Sequence, residues 1–201
     1  GMFQMGGHSI YLGSSEIGMG GRESVKDVAC ALSRYLSGIV ARTYKHEVVE
    51  ELAKYASIPI INGLSDLAHP CQALGDMFTI KERFKSFKGL TLAYIGDGNN
   101  VLNSLMIAAA KLGIGMKVAT PVDYAPDRST VKLAKSLALK SGSKLEISSD
   151  PRAAAKDADI LYTDVWVSMG QEKEAEKRVK AFNDYQLNDN LIKKAKTMCV
   201  V

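Results

Sequence analysis

Apolar positions along this chain repeatedly switch period between two residues and three to four, which predicts strands alternating with helices. Residues 8–12 read as a short strand, followed by a Gly/Ser-rich loop through Gly21. Val25, Val28, Ala29, Leu32 and Leu36 recur at helical spacing, so a helix is expected over 23–35. Residues 38–43 read as a strand, 47–56 as a helix and 58–61 as a strand. Pro70 suits the first position of the next helix, where its missing N–H would have no partner anyway. That helix is expected to carry Leu74, Met77 and Phe78 on its apolar face and to end in the charged 81–88 region.

A second series of strands and helices begins after Gly89. Strands are expected at 90–95, 116–119, 145–148 and 160–166, and helices at 101–112, 126–140 and 151–157. Two charged helices, near 173–182 and 189–196, and a last apolar strand at 198–201 complete the pattern. No hairpin signal separates any two strands, so the sheets should be parallel and the class α/β. The 81–88 region is the natural boundary between two domains, 1–85 and 86–201.

Composition adds exclusions. The 201 residues are 46% hydrophobic and 24% charged, ordinary for a globular protein of one large or two small domains. A net charge of +4, carried by scattered basic residues, offers no block for nucleic acid or a membrane surface. The longest apolar run, 105–110, is far too short to span a bilayer, and the first seven residues lack the basic start of a signal peptide. Cys30, Cys71 and Cys199 are odd in number and have no metal-site spacing, which fits a reducing, cytoplasmic setting.

Two segments carry candidate chemistry. Asp164-Val165-Trp166-Val167-Ser168-Met169-Gly170 places a carboxylate, a hydroxyl and backbone groups where a strand ends, the edge on which open α/β sheets bind ligands. His69-Pro70-Cys71-Gln72 places an imidazole and an amide one helical turn apart at a helix start. Alone, His69 is most simply a helix-start or core histidine, and Arg42 a solvated charge ending a core strand. Met169 reads first as filler, Trp166 as core, Cys199 as a buried inert thiol, and the charge run 172–180 as a solvated helix face. Gly96-Asp97-Gly98-Asn99-Asn100 has three readings: a nucleotide loop, a tight turn, or a pair of amides for a carboxylate at a helix N-terminus. The nucleotide reading lacks its third glycine, since Val101 stands there.

Taken together, these segments resemble the ornithine carbamoyltransferase family over essentially the whole chain. The resemblance rests on Gly6-Gly7-His8, Ser15-Glu16-Ile17-Gly18, Ala41-Arg42-Thr43-Tyr44 and Ile61-Asn62-Gly63-Leu64-Ser65-Asp66. It rests further on His69-Pro70-Cys71-Gln72, Gly96-Asp97-Gly98-Asn99-Asn100 and the segment from Asp164 to Glu172. His-Pro-x-Gln by itself indicates only a carbamoyltransferase, aspartate-type included; Asp-x-Trp-x-Ser-Met-Gly points to ornithine.

The resemblance implies two three-layer α/β domains with parallel sheets and transfer of a carbamoyl group from carbamoyl phosphate to the δ-amine of L-ornithine. Arg42, His69 and Gln72 would hold carbamoyl phosphate and should cluster. Asn100, Asp164, Ser168 and Met169 would hold the amino-acid end of ornithine, with Asn100 and Asp164 facing one cleft. Arg42 and His69 would carry the catalysis, without metal or organic cofactor. The family is a homotrimer in which the loop 14–21 would approach a neighbour's site. The family's Ser-Thr-Arg-Thr-Arg and His-Cys-Leu-Pro segments do not occur in these residues, so both domains are expected to be incomplete and the 201-residue chain inactive by itself. Two other classes stay open: a non-catalytic amino-acid-binding remnant and a nucleotide-dependent oxidoreductase.

Overall fold

A computed structural model describes residues 1–19, 21–167 and 172–196. The chain forms two compact units, Gly1–Gly63 and Leu64–Val201. The expected strand at 198–201 lies outside the described residues.

In the first unit, α1 (Ser14–Ile17) precedes α2 (Val25–Leu32), which starts where Ser24 accepts from the Asp27 N–H. Strands β1 (Ile39–Arg42) and β2 (Ile60–Leu64) pair, and α3 (His46–Tyr55) joins them. Val25, Ala29, Ala41, Val49 and Leu52 form the core. β2 begins two residues later than the sequence suggested. The expected strand at 8–12 is not formed. A strand needs a ladder partner, and residues 8–12 have none among the described residues, leaving Ile10 65% and Tyr11 91% exposed.

The second unit opens with α4 (Pro70–Phe84) and then builds a four-stranded parallel sheet. Its strands are β3 (Thr91–Ile95), β4 (Gly115–Ala119), β5 (Leu145–Ser148) and β6 (Ile160–Tyr162), in the order β5-β4-β3-β6. The connections are α5 (Asn100–Leu112), α6 (Arg128–Ser141) and α7 (Pro151–Ala155); α8 (Ala175–Phe182) and α9 (Asp189–Ile192) follow β6. Side chains alternate across a strand. Leu92 and Tyr94 therefore join the core beneath α4, α5 and α6, while Ala93 and Ile95 join the core beneath α7, α8 and α9.

The apolar face of α4 differs from expectation. Ala73, Met77 and Ile80 are buried, while Leu74 and Phe78 are 67% and 65% exposed. The helix has two overlapping apolar stripes, and packing into the core shared with α5 and β3 selects only one. β6 is also shorter than expected: it ends at Tyr162, after which the chain leaves the ladder with Thr163 Oγ1 donating to the Ile95 carbonyl at 2.8 Å.

Candidate functional site

The sheet order dictates where a ligand would sit. From β3 the chain steps outward through β4 to β5, then crosses back to lay β6 on the other side of β3. The connections diverge between β3 and β6, and the crevice at their carboxyl ends is the switch point of this topology. Gly96-Asp97-Gly98-Asn99 follows β3 there, and Thr163-Asp164 follows β6.

Asn99 organises this crevice. It caps α5: its Oδ1 accepts from the Val101 and Leu102 N–H groups, both at 3.1 Å. Such a cap stabilises a helix start by about 0.5–2 kcal/mol. The cap fixes the amide's orientation, so Nδ2 points away and donates to Asp164 Oδ2 at 2.8 Å. Asp164 Oδ1 accepts from the Val165 N–H at 2.8 Å. These two donors hold the carboxylate in one pose. The cap also occupies two of the helix-start N–H groups that a pyrophosphate would use, which removes support from the nucleotide-loop reading. Gly98 is required sterically: a Cβ there would come within 2.4 Å of the backbone at Tyr124, Ala125 and Pro126.

Asn100 has a different partner. Its Nδ2 donates to the Ser65 carbonyl at 2.6 Å, one of three ties between α5 and the loop ahead of α4. Asn103 Nδ2 donates to the Leu67 carbonyl at 3.0 Å, and the His69 N–H donates to Ser104 Oγ at 2.8 Å. The loop closes on itself through the Ser65 N–H and the Ala68 carbonyl at 2.9 Å. His69, the cap position of α4, is thereby fixed against the first turns of α5. Gln72 lies one turn into α4, exposed, with its Nε2 donating to Asp76 Oδ1 at 2.8 Å.

The second unit thus gathers His69, Gln72, Asn99, Asn100 and Asp164 at one end, where Asn99, not Asn100, touches Asp164. Arg42 belongs to the first unit, exposed at the end of β1. Ser168 and Met169 lie outside the described residues, as does Cys199.

Sequence reading overlooked the group that braces this end. The run 172–180 is not simply a solvated face: Arg178 is 4% exposed. Its guanidinium pairs with the buried Asp97 carboxylate and donates from Nε to the Trp166 carbonyl at 2.5 Å. It also lies over the Tyr124 and Phe182 rings, 4.7 and 5.6 Å from their centroids. One side chain therefore ties the loop after β3 to the loop after β6. Burial is the strongest influence on the Asp97 carboxyl and raises its pKa, with Arg178 pulling the other way. Tyr94 reinforces the same loop by donating to the Asp97 carbonyl at 2.8 Å, and its burial, with Asp164 nearby, keeps the phenol protonated well above its ordinary range. The available signal was the spacing of Arg178 and Phe182, four apart on one helix face.

Comparison with known proteins supplies the family. Residues 88–201 match the model of the Asp/Orn binding domain of aspartate/ornithine carbamoyltransferase, and residues 1–82 match that of its carbamoyl-P binding domain. The ornithine carbamoyltransferase of Pyrococcus horikoshii is 52% identical over 196 residues, 98% of this chain and 62% of that protein. That of Bacillus cereus is 53% identical over the same shares. The chain therefore spans about 62% of the length of the curated relatives it matches. Among solved structures, ornithine carbamoyltransferase from Pyrococcus furiosus superposes with a TM-score of 0.94 at 52% identity, covering 98% of this chain and 63% of that one. The anabolic enzyme from Campylobacter jejuni gives 0.92 at 37% identity, covering 98% and 65%.

Proposed function

As the chain belongs to the aspartate/ornithine carbamoyltransferase family, we propose that the full-length protein transfers the carbamoyl group of carbamoyl phosphate to the δ-amine of L-ornithine, giving citrulline and phosphate. The observation that carries this reading within the chain is the Asp164 carboxylate, held by Asn99 at the switch point between β3 and β6. A fixed carboxylate beside a helix start suits a zwitterionic amino acid: the carboxylate attracts the α-ammonium and the helix start favours the α-carboxylate.

In this reading Asn100, Asp164, Ser168 and Met169 hold the amino-acid end, Met169 through its backbone. Arg42, His69 and Gln72 hold carbamoyl phosphate. The neutral δ-amine attacks the carbamoyl carbon, a C–N bond forms, the C–O bond to phosphate breaks, and the amine loses a proton. Charge gathers on the carbonyl oxygen on the way, where Arg42 and His69 donate hydrogen bonds that strengthen as the charge grows. Asp164 acts by orientation, aiming the δ-amine at the carbonyl. The domains are read as 1–85 for carbamoyl phosphate and 86–201 for ornithine, in a homotrimer. The cytoplasmic reading rests on the three scattered cysteines. No helix among the described residues is long and apolar enough to cross a membrane. Two relatives of the chain are named anabolic enzymes, which supports arginine biosynthesis as the setting. For the 201 residues alone we propose ligand binding without turnover, because they hold no Ser-Thr-Arg-Thr-Arg run for the phosphate.

His69→Ala in the full-length protein tests the assignment. A donor that acts on developing charge affects the transition state more than the bound substrates. The expected result is kcat lower by about 10²–10³-fold, with ornithine KM changed by less than about threefold. An unchanged kcat would remove His69 from the reaction.

A further inference from the structure

Gln72 is one turn of α4 from Asp76, and a glutamine–aspartate pair at that spacing is ordinary on a helix surface. Here the pair has a third member. The phenol of Tyr162, from β6, donates to Asp76 Oδ2 at 2.9 Å, while Gln72 Nε2 donates to Oδ1 at 2.8 Å. Asp76 is half-buried, and the Tyr162 ring stacks on Tyr94 with centroids 5.8 Å apart. Tyr162 lies two residues before Asp164 on the same strand end.

We propose that Asp76 and Tyr162 are positioning residues that fix the amide of Gln72 with its NH2 turned inward and its carbonyl oxygen turned toward the carbamoyl NH2 of the substrate. An amide can present either its donor or its acceptor face, and the two differ by a flip of similar energy. An ionised carboxylate only accepts, so Asp76 permits one flip state, the one that leaves Gln72 Oε1 free to accept. Tyr162 supplies the other half of the constraint by occupying the second carboxylate oxygen. Burial and the adjacent Asp76 push the Tyr162 pKa far above its usual value, so the phenol stays a donor throughout the working pH range. The same strut ties the carbamoyl-side glutamine to the strand that leads to Asp164. This assignment rests on the reading that Gln72 faces the carbamoyl group.

The test is a double-mutant cycle in the full-length protein, with carbamoyl phosphate varied at saturating ornithine and thermal midpoints recorded alongside. Asp76→Asn offers Gln72 an NH2 and releases the flip. It should lower kcat/KM for carbamoyl phosphate by about 10–100-fold, the scale of a misplaced positioning group. Tyr162→Phe is the milder change, with an expected loss of about five- to tenfold. In a Gln72→Ala background neither substitution should lower kcat/KM more than about twofold further, because the group they position is already gone. If Asp76→Asn fails to fold, the Tyr162→Phe and Gln72→Ala pair completes the cycle. Losses that multiply on the Gln72→Ala background would overturn the strut and leave the role of Gln72 standing. A Gln72→Ala protein with unchanged kcat/KM would overturn both.

Discussion

Replacing Arg178 with alanine is expected to destabilise the second unit by about 3–5 kcal/mol, as removal of one partner from a buried ion pair does. Asp97 would be left buried without its cation, and the Trp166 carbonyl would lose its donor. The Tyr124 and Phe182 rings would lose the guanidinium between them. Arg178→Lys keeps the charge but not the planar fork that serves Asp97 and Trp166 together, so it should recover only part of the loss. Replacing Arg178 and Asp97 together by apolar residues should be less damaging than Arg178→Ala alone, since no unpaired charge remains. Urea denaturation of the three variants checks the order.

The pH dependence of that variant follows from the Asp97 carboxyl. Its pKa is already raised by burial against the pull of Arg178. Removing the guanidinium removes that pull, and the folded-state pKa rises further above the unfolded value. A group so raised leaves stability intact below the unfolded pKa and lowers it as pH climbs through the folded pKa. The deficit of Arg178→Ala should therefore be larger at pH 8 than at pH 5. A deficit independent of pH would mean that Asp97 does not carry it.

The second large effect is expected at the proposed ornithine site. Asp164→Asn in the full-length protein removes the charge proposed for the α-ammonium while keeping the shape of the side chain. Breaking a desolvated, hydrogen-bonded charge pair costs about 2–5 kcal/mol, so ornithine KM should rise by about 30-fold or more. Carbamoyl phosphate KM should stay within about threefold, because that substrate is assigned to other residues. Steady-state kinetics with each substrate varied in turn separate the two. Equal losses for both would indicate a disrupted fold and not a lost contact.

Much of the second unit was legible because its strands and helices carry local signals that agree. β3 is buried on both faces for most of its length, and α6 and α7 start on their own aspartate caps, Asp127 and Asp150. Elements that depend on a distant partner were not legible. Residues 8–12 have acceptable alternation, but alternation does not say whether a neighbouring strand exists. Residues 73, 74, 77, 78 and 80 include two apolar stripes, and only tertiary packing, chiefly against α5, decides which is buried. The Asp97–Arg178 pair spans 81 residues, and the spacing of Arg178 from Phe182 does not reveal a partner so far along the chain.

The candidate site divides along the same line. His69, Gln72 and Asp164 stand in motifs whose chemistry shows in their residue types. Asn99 stands in its motif too, but its cap geometry, which turns Nδ2 toward Asp164, depends on how α5 starts. The Gln72–Asp76 spacing is visible in the chain, whereas its Tyr162 partner lies 86 residues from Asp76. Residue types thus revealed which groups could act, and the fold revealed which groups hold them.

The most direct test of the proposed activity is citrulline formation by the full-length protein with carbamoyl phosphate and L-ornithine, with released phosphate measured in the same reaction. Citrulline and phosphate are expected in equal amounts, dependent on ornithine and not replaced by aspartate as acceptor. Phosphate release without citrulline, or a preference for aspartate, would contradict it.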